Sequence, residues 1–247
     1  MHFDAVRANP ALIGNHAALP GVTFVIPCKG RLLHLHESAP RILRQRTSRA
    51  FNVVVVDYGD PDGCFEWVTC QKHPQLSVLR VRDDVGEFNL SRARNCGACV
   101  AAYDLIAFVD ADALLSEEWL DQAVAPILSR RAVVTIPDWP SPACGICVVK
   151  RSDFHQVRGF DESLQGWGHE DIDFIQRLRE LGAVARFDSS LIQMIQHSED
   201  LRVRFYANKK RTQSHADNAA QASNRTEPVN PLRYGVGEFD MFQSIDV

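Results

Sequence analysis

The chain has 247 residues, 45% of them hydrophobic, which is enough for one α/β domain with a full core. Its 27 basic and 31 acidic side chains leave a formal net charge of -4, which excludes bulk attraction to nucleic acid or anionic lipid; any phosphate must be held locally. No stretch approaches the roughly twenty apolar residues that span a bilayer, Met1-His2-Phe3-Asp4 does not open a signal peptide, and seven cysteines, an odd number, suit a reducing compartment, so a cytoplasmic protein is expected.

In chain order, residues 22–27 read as a first buried strand, and Cys28-Lys29-Gly30-Arg31 as a loop before a helix over about 32–45. Two cations flanking a glycine at a strand-to-helix turn suit a diphosphate, although an ordinary solvated turn has the same composition. A second strand over 51–56 runs into Asp57-Tyr58-Gly59-Asp60, where Asp57 can accept the N–H of a pyrimidine base and Tyr58 offers a stacking face. A helix over 65–72, a strand over 76–81 and a helix over 89–102 follow. Residues 105–112 then form an apolar run, read as a strand buried on both faces, that stops at Asp110-Ala111-Asp112. In open α/β sheets ligands bind at that edge. Two carboxylates one residue apart suit a divalent cation carrying phosphates, and alone they also fit a solvated turn and helix cap before Trp119.

A helix over 117–130 and a strand over 132–136 lead to Pro137-Asp138-Trp139-Pro140-Ser141-Pro142, which blocks regular structure and can border a pocket. A strand over 145–149 and a short helix capped by Ser152 come next. The segment Gly159-Phe160-Asp161-Glu162 then turns into Gly166-Trp167-Gly168-His169-Glu170-Asp171. An amphipathic helix over 170–181 is expected to turn Ile172, Ile175, Leu178 and Leu181 inward, with Glu170 and Asp171 in its first turn. Trp167 between two glycines suits an aromatic lid over a sugar face. A last strand over 183–188 precedes Met194-Ile195-Gln196-His197; residues 202–222 read as a helix and 224–247 as a polar, irregular tail. Two Cys-x-x-Cys pairs, Cys96/Cys99 and Cys144/Cys147, fall on a helix and a strand whose geometry disfavours a shared zinc, so buried free thiols are expected. The alternation of strands and helices is that of a doubly wound nucleotide-binding sheet with right-handed crossovers.

Taken together these residues resemble the GT-A glycosyltransferases, and within them the β-1,4-galactosyltransferase family and bacterial chondroitin-polymerase-type enzymes. The resemblance runs from about residue 22 to 200; its most specific strings are Gly166-Trp167-Gly168-His169-Glu170-Asp171, with Gly159-Phe160 before it, and Met194-Ile195-Gln196-His197-Ser198. It implies an α/β, GT-A fold with a single Rossmann-like mixed sheet flanked by helices. Residues 1–20 would be an N-terminal extension, 21–200 the catalytic domain (nucleotide-binding half 21–112, acceptor and metal half 113–200), and 201–247 a C-terminal helix and tail. The resemblance further implies that Pro27, Lys29 and Arg31 cradle the nucleotide diphosphate. Asp57, Phe88, Asn89, Arg92, Asp110, Gly145 and Trp167 would complete the nucleotide-sugar site, with Asn95 and Gly97 in the same motif as Arg92. Asp112, Met194 and His197 would bind a metal, and Asp171, with Glu170 beside it, would be the catalytic base.

A carboxylate, an imidazole and a thioether suit Mn²⁺ better than Mg²⁺, which remains the second choice. The implied activity is a metal-dependent, inverting transfer of a hexose or N-acetylhexosamine from a UDP-sugar to a glycan or glycolipid acceptor. No nucleic acid and no transmembrane segment are involved, and membrane contact would be peripheral. Competing readings are a retaining GT-A transferase, a sugar-nucleotide nucleotidyltransferase and a non-catalytic nucleotide- or glycan-binding module. Two positions depart from the resembled pattern. His169 stands where glycine is usual, and Pro142-Ala143 stands where a tyrosine-phenylalanine pair restricts galactosyltransferases to a small C2 hydroxyl, which points to a pocket admitting an N-acetylhexosamine.

Overall fold

The computed structural model describes residues 18–82 and 86–243. Uninterrupted apolar runs suit strands covered on both faces. Here β1 (Leu19–Cys28), β2 (Phe51–Asp57), β3 (Leu76–Val81) and β4 (Tyr103–Phe108) lie parallel in the order β3-β2-β1-β4. The helices between them, α1 (Leu32–Leu43), α2 (Cys64–Gln71) and α3 (Leu90–Cys99), divide between the two faces. Alternate residues of each strand serve different cores: Phe24, Ile26, Val53 and Val55 meet α1 and α2, whereas Val25, Val54 and Val56 meet α3. The closest approach is at Gly97 of α3, where a Cβ would collide with Val25 and Val56.

The chain then adds β5 (Ala113–Leu115), α4 (Trp119–Leu128), β6 (Val134–Pro137), β7 (Cys147–Lys150), α5 (Arg151–Gln156), α6 (Glu170–Arg179), β8 (Val184–Phe187), β9 (Ile192–Met194), α7 (Glu199–Val203), α8 (Arg211–Ser223) and β10 (Phe239–Gln243). Antiparallel β7 and β10 extend the parallel core on either side, giving an eight-stranded mixed sheet in the order β10-β3-β2-β1-β4-β7-β6-β8, while β5 and β9 form a separate antiparallel pair. Among the described residues no helix is long and apolar enough to cross a membrane.

Several sequence expectations need correction. The run over 105–112 is not one strand: β4 ends at Phe108, a turn closes from the Ala113 N–H to the Asp110 carbonyl, and β5 starts a different sheet. The strand expected over 145–149 starts at Cys147, because Ile146 N–H is spent in a turn on Ala143. Ser152 lies inside α5 and donates to Asp153, and Lys150 holds the cap position. The helix over 202–222 is two helices, with Lys209 gathering the Val203, Arg204 and Tyr206 carbonyls between them. The tail is not wholly irregular: Phe239 packs into the core and β10 pairs with β3. Ile172 is 41% exposed, and Phe174 takes the inward place on α6. Residues 1–17 of the expected extension lie outside the described residues, and Leu19 and Pro20 already belong to β1. All seven cysteines are free; Cys96, Cys99 and Cys147 are buried as expected, but Cys144, on the turn before β7, is exposed.

Candidate active site

The carboxyl ends of β1 and β4 open into a cleft of about 240 Å³. At its β1 end, Gly30 adopts φ +65° and lies so close under the Phe205 ring that no side chain fits there. Its neighbours are committed to backbone: Lys29 Nζ donates to the Gly86 carbonyl (3.0 Å) and Arg31 to the Leu201 carbonyl (2.7 Å). Burial lowers the Arg31 pKa, opposed by the nearby Asp112 carboxylate. Phe88 stands beside this loop, its ring 5.6 Å from Tyr58 and 5.3 Å from Tyr206.

Past β4, the short β5–β9 pair places Ala113 opposite Met194, and Ile195 N–H bonds to the Asp112 carbonyl at 2.8 Å. Residues some eighty positions apart are thereby brought together: His197 Nε2 lies 2.8 Å from Asp112 Oδ2. In this structure the two are hydrogen-bonded to each other, a carboxylate and an imidazole of the kind a divalent cation takes as ligands. Asp112, Met194 and His197 all line the cleft and present the carboxylate, thioether and imidazole that such an ion would meet.

The third feature was not anticipated from sequence. Arg94 of α3 is 1% exposed and reaches Asp110 (2.9 Å) with one guanidinium nitrogen and Glu170 (3.3 Å) with the other. Burial disfavours its charge, but Asp110, Glu170 and Asp171 together outweigh that and hold it protonated. One cation facing three carboxylates leaves an excess of negative charge. Accordingly Glu170, buried and beside Asp171, is pushed up to about 7, and burial raises Asp110 as well against the pull of Arg94. Gly145 is required here, since a Cβ would approach Arg94 to 2.8 Å and Asp110 to 3.3 Å.

At the far wall, Gly166 (φ +80°), Gly168 (φ +91°) and His169 (φ +76°) coil the chain into the start of α6. Helix α8 clamps this loop: Ser214 Oγ accepts Trp167 N–H at 2.8 Å, and Asn218 donates to the Gly168 carbonyl at 2.8 Å. Arg211 lies 4.6 Å from the Trp167 ring centroid and is fixed in turn by Glu199. One face of the expected sugar lid is therefore already covered.

The cleft collects Pro27, Lys29, Arg31, Phe88, Asp110, Asp112, Gly145, Trp167, Glu170, Asp171, Met194 and His197. Three predicted donor residues lie behind it instead. The Asp57 carboxylate accepts from Arg80 (2.9 Å) and the Asp60 N–H (2.8 Å). Asn89 caps α3 and donates to the Glu162 carbonyl, and Arg92 bonds Tyr58 and the Val236 carbonyl. These three hold the cleft's wall together. Sequence reasoning missed Arg94, Phe205, Tyr206 and His215, all cleft-lining. For Arg94 alone there was a signal, the unbalanced carboxylates at buried strand and helix ends.

Comparison with known proteins agrees with this architecture. The chondroitin synthase of Pasteurella multocida (strain Pm70) is 28% identical over 117 residues, 47% of this chain and 12% of that protein. The validoxylamine A glucosyltransferase of Streptomyces hygroscopicus subsp. jinggangensis (strain 5008) is 24% identical over 227 residues, 68% of this chain and 54% of that one. This chain thus spans only about a tenth to about half of these relatives' lengths. Among solved structures, the mannosyltransferase PcManGT from Pyrobaculum calidifontis, in complex with GDP-Man and Mn2+, superimposes with a TM-score of 0.66 at 18% identity over 94% of this chain and 70% of that one. S. aureus TarS in complex with UDP-GlcNAc gives 0.62 at 16% identity over 74% and 60%. The fold is therefore the GT-A fold expected from the motifs. The sequence pattern of glycosyl transferase family 2 matches residues 23–179, from within β1 to the end of α6 and including the Lys29-Gly30-Arg31 loop, Asp110, Asp112 and Asp171, and the chain accordingly belongs to that family.

Proposed function

We infer that the protein transfers a hexose or N-acetylhexosamine from a UDP-sugar to a hydroxyl of a glycan or glycolipid, with inversion and with Mn²⁺ held by Asp112, Met194 and His197. The observation that carries this reading is the meeting of those three side chains in one cleft with Asp171. A divalent cation there would act as a Lewis acid toward the diphosphate. The chain's own residues do the rest. Lys29 and Arg31 complement the diphosphate charge, and Trp167 walls the sugar. Asp171 takes the acceptor proton as the acceptor oxygen bonds to the anomeric carbon and the bond to UDP breaks. Arg94 keeps Asp110 and Glu170 from repelling that carboxylate. Pro142 lines the cleft, while Ala143 is turned into the core, and the absence of a bulky aromatic pair at these two positions supports a pocket that admits an N-acetyl group. A cytoplasmic location is part of the same proposal and rests on the unpaired cysteines.

The test is UDP release with Mn²⁺ from a panel of UDP-hexoses and UDP-N-acetylhexosamines, with GDP-mannose included. Release that requires a divalent ion and is lost in Asp171→Asn, with UDP binding intact, is the expected result. Strict use of UDP-galactose would overturn the N-acetylhexosamine pocket, and retention at the product anomeric carbon would overturn Asp171 as base. Asp57, the acceptor suggested for a uracil N–H, is 2% exposed and engaged by Arg80 and the Asp60 N–H, so it does not select uracil, which is why the panel includes a guanine nucleotide. Preference for GDP-mannose would overturn UDP as the donor nucleotide.

A further inference from the structure

Four of the seven large apolar side chains exposed among the described residues stand around the mouth of the cleft. Ile172 (41% exposed) and Leu201 (39%) line it. Leu33 (77%) lies in the first turn of α1, two residues after Arg31, whose guanidinium reaches the Leu201 carbonyl at 2.7 Å. Trp139 (76%) follows β6 on a segment that enters the cleft at Pro142. Strand β7 runs antiparallel to both β4 and β6, and β4 runs parallel to β1, so β6 and β1 end at one edge of the sheet, the edge at which the cleft opens. Leu19 and Leu128 mark the opposite edge: Leu19 starts β1, and Leu128 shares a second cavity with Asp104 near the start of β4.

The same mouth is locally basic, although the chain as a whole is acidic. Residues 199–211 carry Arg202, Arg204, Lys209, Lys210 and Arg211 against Glu199 and Asp200, and Glu199 is paired with Arg211 at 2.7 Å. Arg202 lines the cleft, and Arg204 lies 5.2 Å from the ring centroid of Phe205, which lines it too. Exposed apolar side chains interspersed with cations match an acidic phospholipid surface, where leucine and tryptophan enter the headgroup layer and guanidinium and ammonium groups meet phosphates. We propose that the mouth of the cleft docks on the anionic surface of a bilayer, which makes the acceptor a glycolipid held in that surface rather than a free glycan. The acceptor half of this proposal rests on the transferase reading above; the docking half does not.

The test is sedimentation of the full-length protein with unilamellar vesicles, one set of phosphatidylcholine and one of equal parts phosphatidylcholine and phosphatidylglycerol. The protein should sediment with the second set, and added salt should release it. Arg204→Gln with Lys210→Gln should lower the partition coefficient about tenfold, and Leu33→Ser with Trp139→Ser at least about tenfold. All four residues are surface positions outside the catalytic constellation, so both double variants should melt within about 2 °C of wild type. Leu19→Ser with Leu128→Ser, at the far edge, should sediment as wild type does. No sedimentation with either set, equal sedimentation with both, or an equal loss in the Leu19/Leu128 variant overturns the docking and leaves the transferase reading standing. A dimer in solution that the Leu33/Trp139 variant dissolves would give the face to a second copy and overturn it as well. No UDP release from any donor would overturn the acceptor half together with the transferase reading, whatever the vesicles show.

Discussion

Arg94→Met removes a buried charge while keeping most of the side-chain volume, and its cost can be worked from the site. The guanidinium lies 2.9 Å from Asp110 and 3.3 Å from Glu170. With charge centres about 4 Å apart and an effective dielectric of about 20, each pair contributes about 4 kcal/mol of attraction, offset largely by the several kcal/mol needed to strip water from each ion. The Asp110 side chain is 30% exposed, which screens its share further. Removing the cation strands the two carboxylates, so the expected loss is about 3–5 kcal/mol at pH 8. Below that pH the carboxylates can relieve themselves by taking protons. Glu170 has a native pKa raised from 4.5 to about 7, so the native state binds more protons than the unfolded chain between those values, and wild-type stability falls as pH rises through that window and levels off above it. Without Arg94 the native pKa climbs further, the downward slope continues past pH 7, and the loss at pH 6 should be smaller than at pH 8 by about 1–3 kcal/mol. Urea unfolding at the two pH values, followed through the fully buried Trp119, measures both figures. A loss under about 1 kcal/mol, or an equal loss at both pH values, would refute the idea that Arg94 neutralises this cluster.

Asp171→Asn should lower the rate of transfer by about 10²–10⁴-fold with little change in UDP affinity, read by coupled UDP release and by calorimetry. His197→Ala should raise the Mn²⁺ concentration needed for half-maximal release by at least about tenfold; an unshifted Mn²⁺ titration would remove His197 from the ligand set. Gly97→Ala should cost about 1–3 kcal/mol in urea unfolding, because its methyl group would enter space filled by Val25 and Val56.

The fold was legible where single segments carry their own pattern. The strands at residues 22–27, 51–56 and 76–81 are apolar on both faces, and that composition alone requires helices on both sides. The three-residue β5 and β9 were invisible for the opposite reason: Ala113–Leu115 and Ile192–Met194 are too short to show a period, and only their pairing makes them strands. Yet that pairing delivers Met194 and His197 to Asp112. The proposed ligand set came from a resembled string, and the meeting of its side chains had no local signature.

The Trp167 wall of the cleft shows the same division more sharply. Helix α8 has no apolar stripe to announce a buried face; what it buries are Ser214 and Asn218, 2% and 4% exposed, and what they hold is the backbone of Trp167 and Gly168. Docking through polar side chains onto peptide groups leaves no hydrophobic periodicity in the sequence. It also couples the C-terminal segment to the loop that carries Trp167 and His169, with Arg211 spanning from Glu199 to the tryptophan ring. A helix that the sequence reading set outside the catalytic domain is thus the wall against which the Trp167 loop takes its shape. Removing it would leave Gly166 and Gly168 free to uncoil, and Asp171, in the first turn of α6, would lose its fixed place in the cleft.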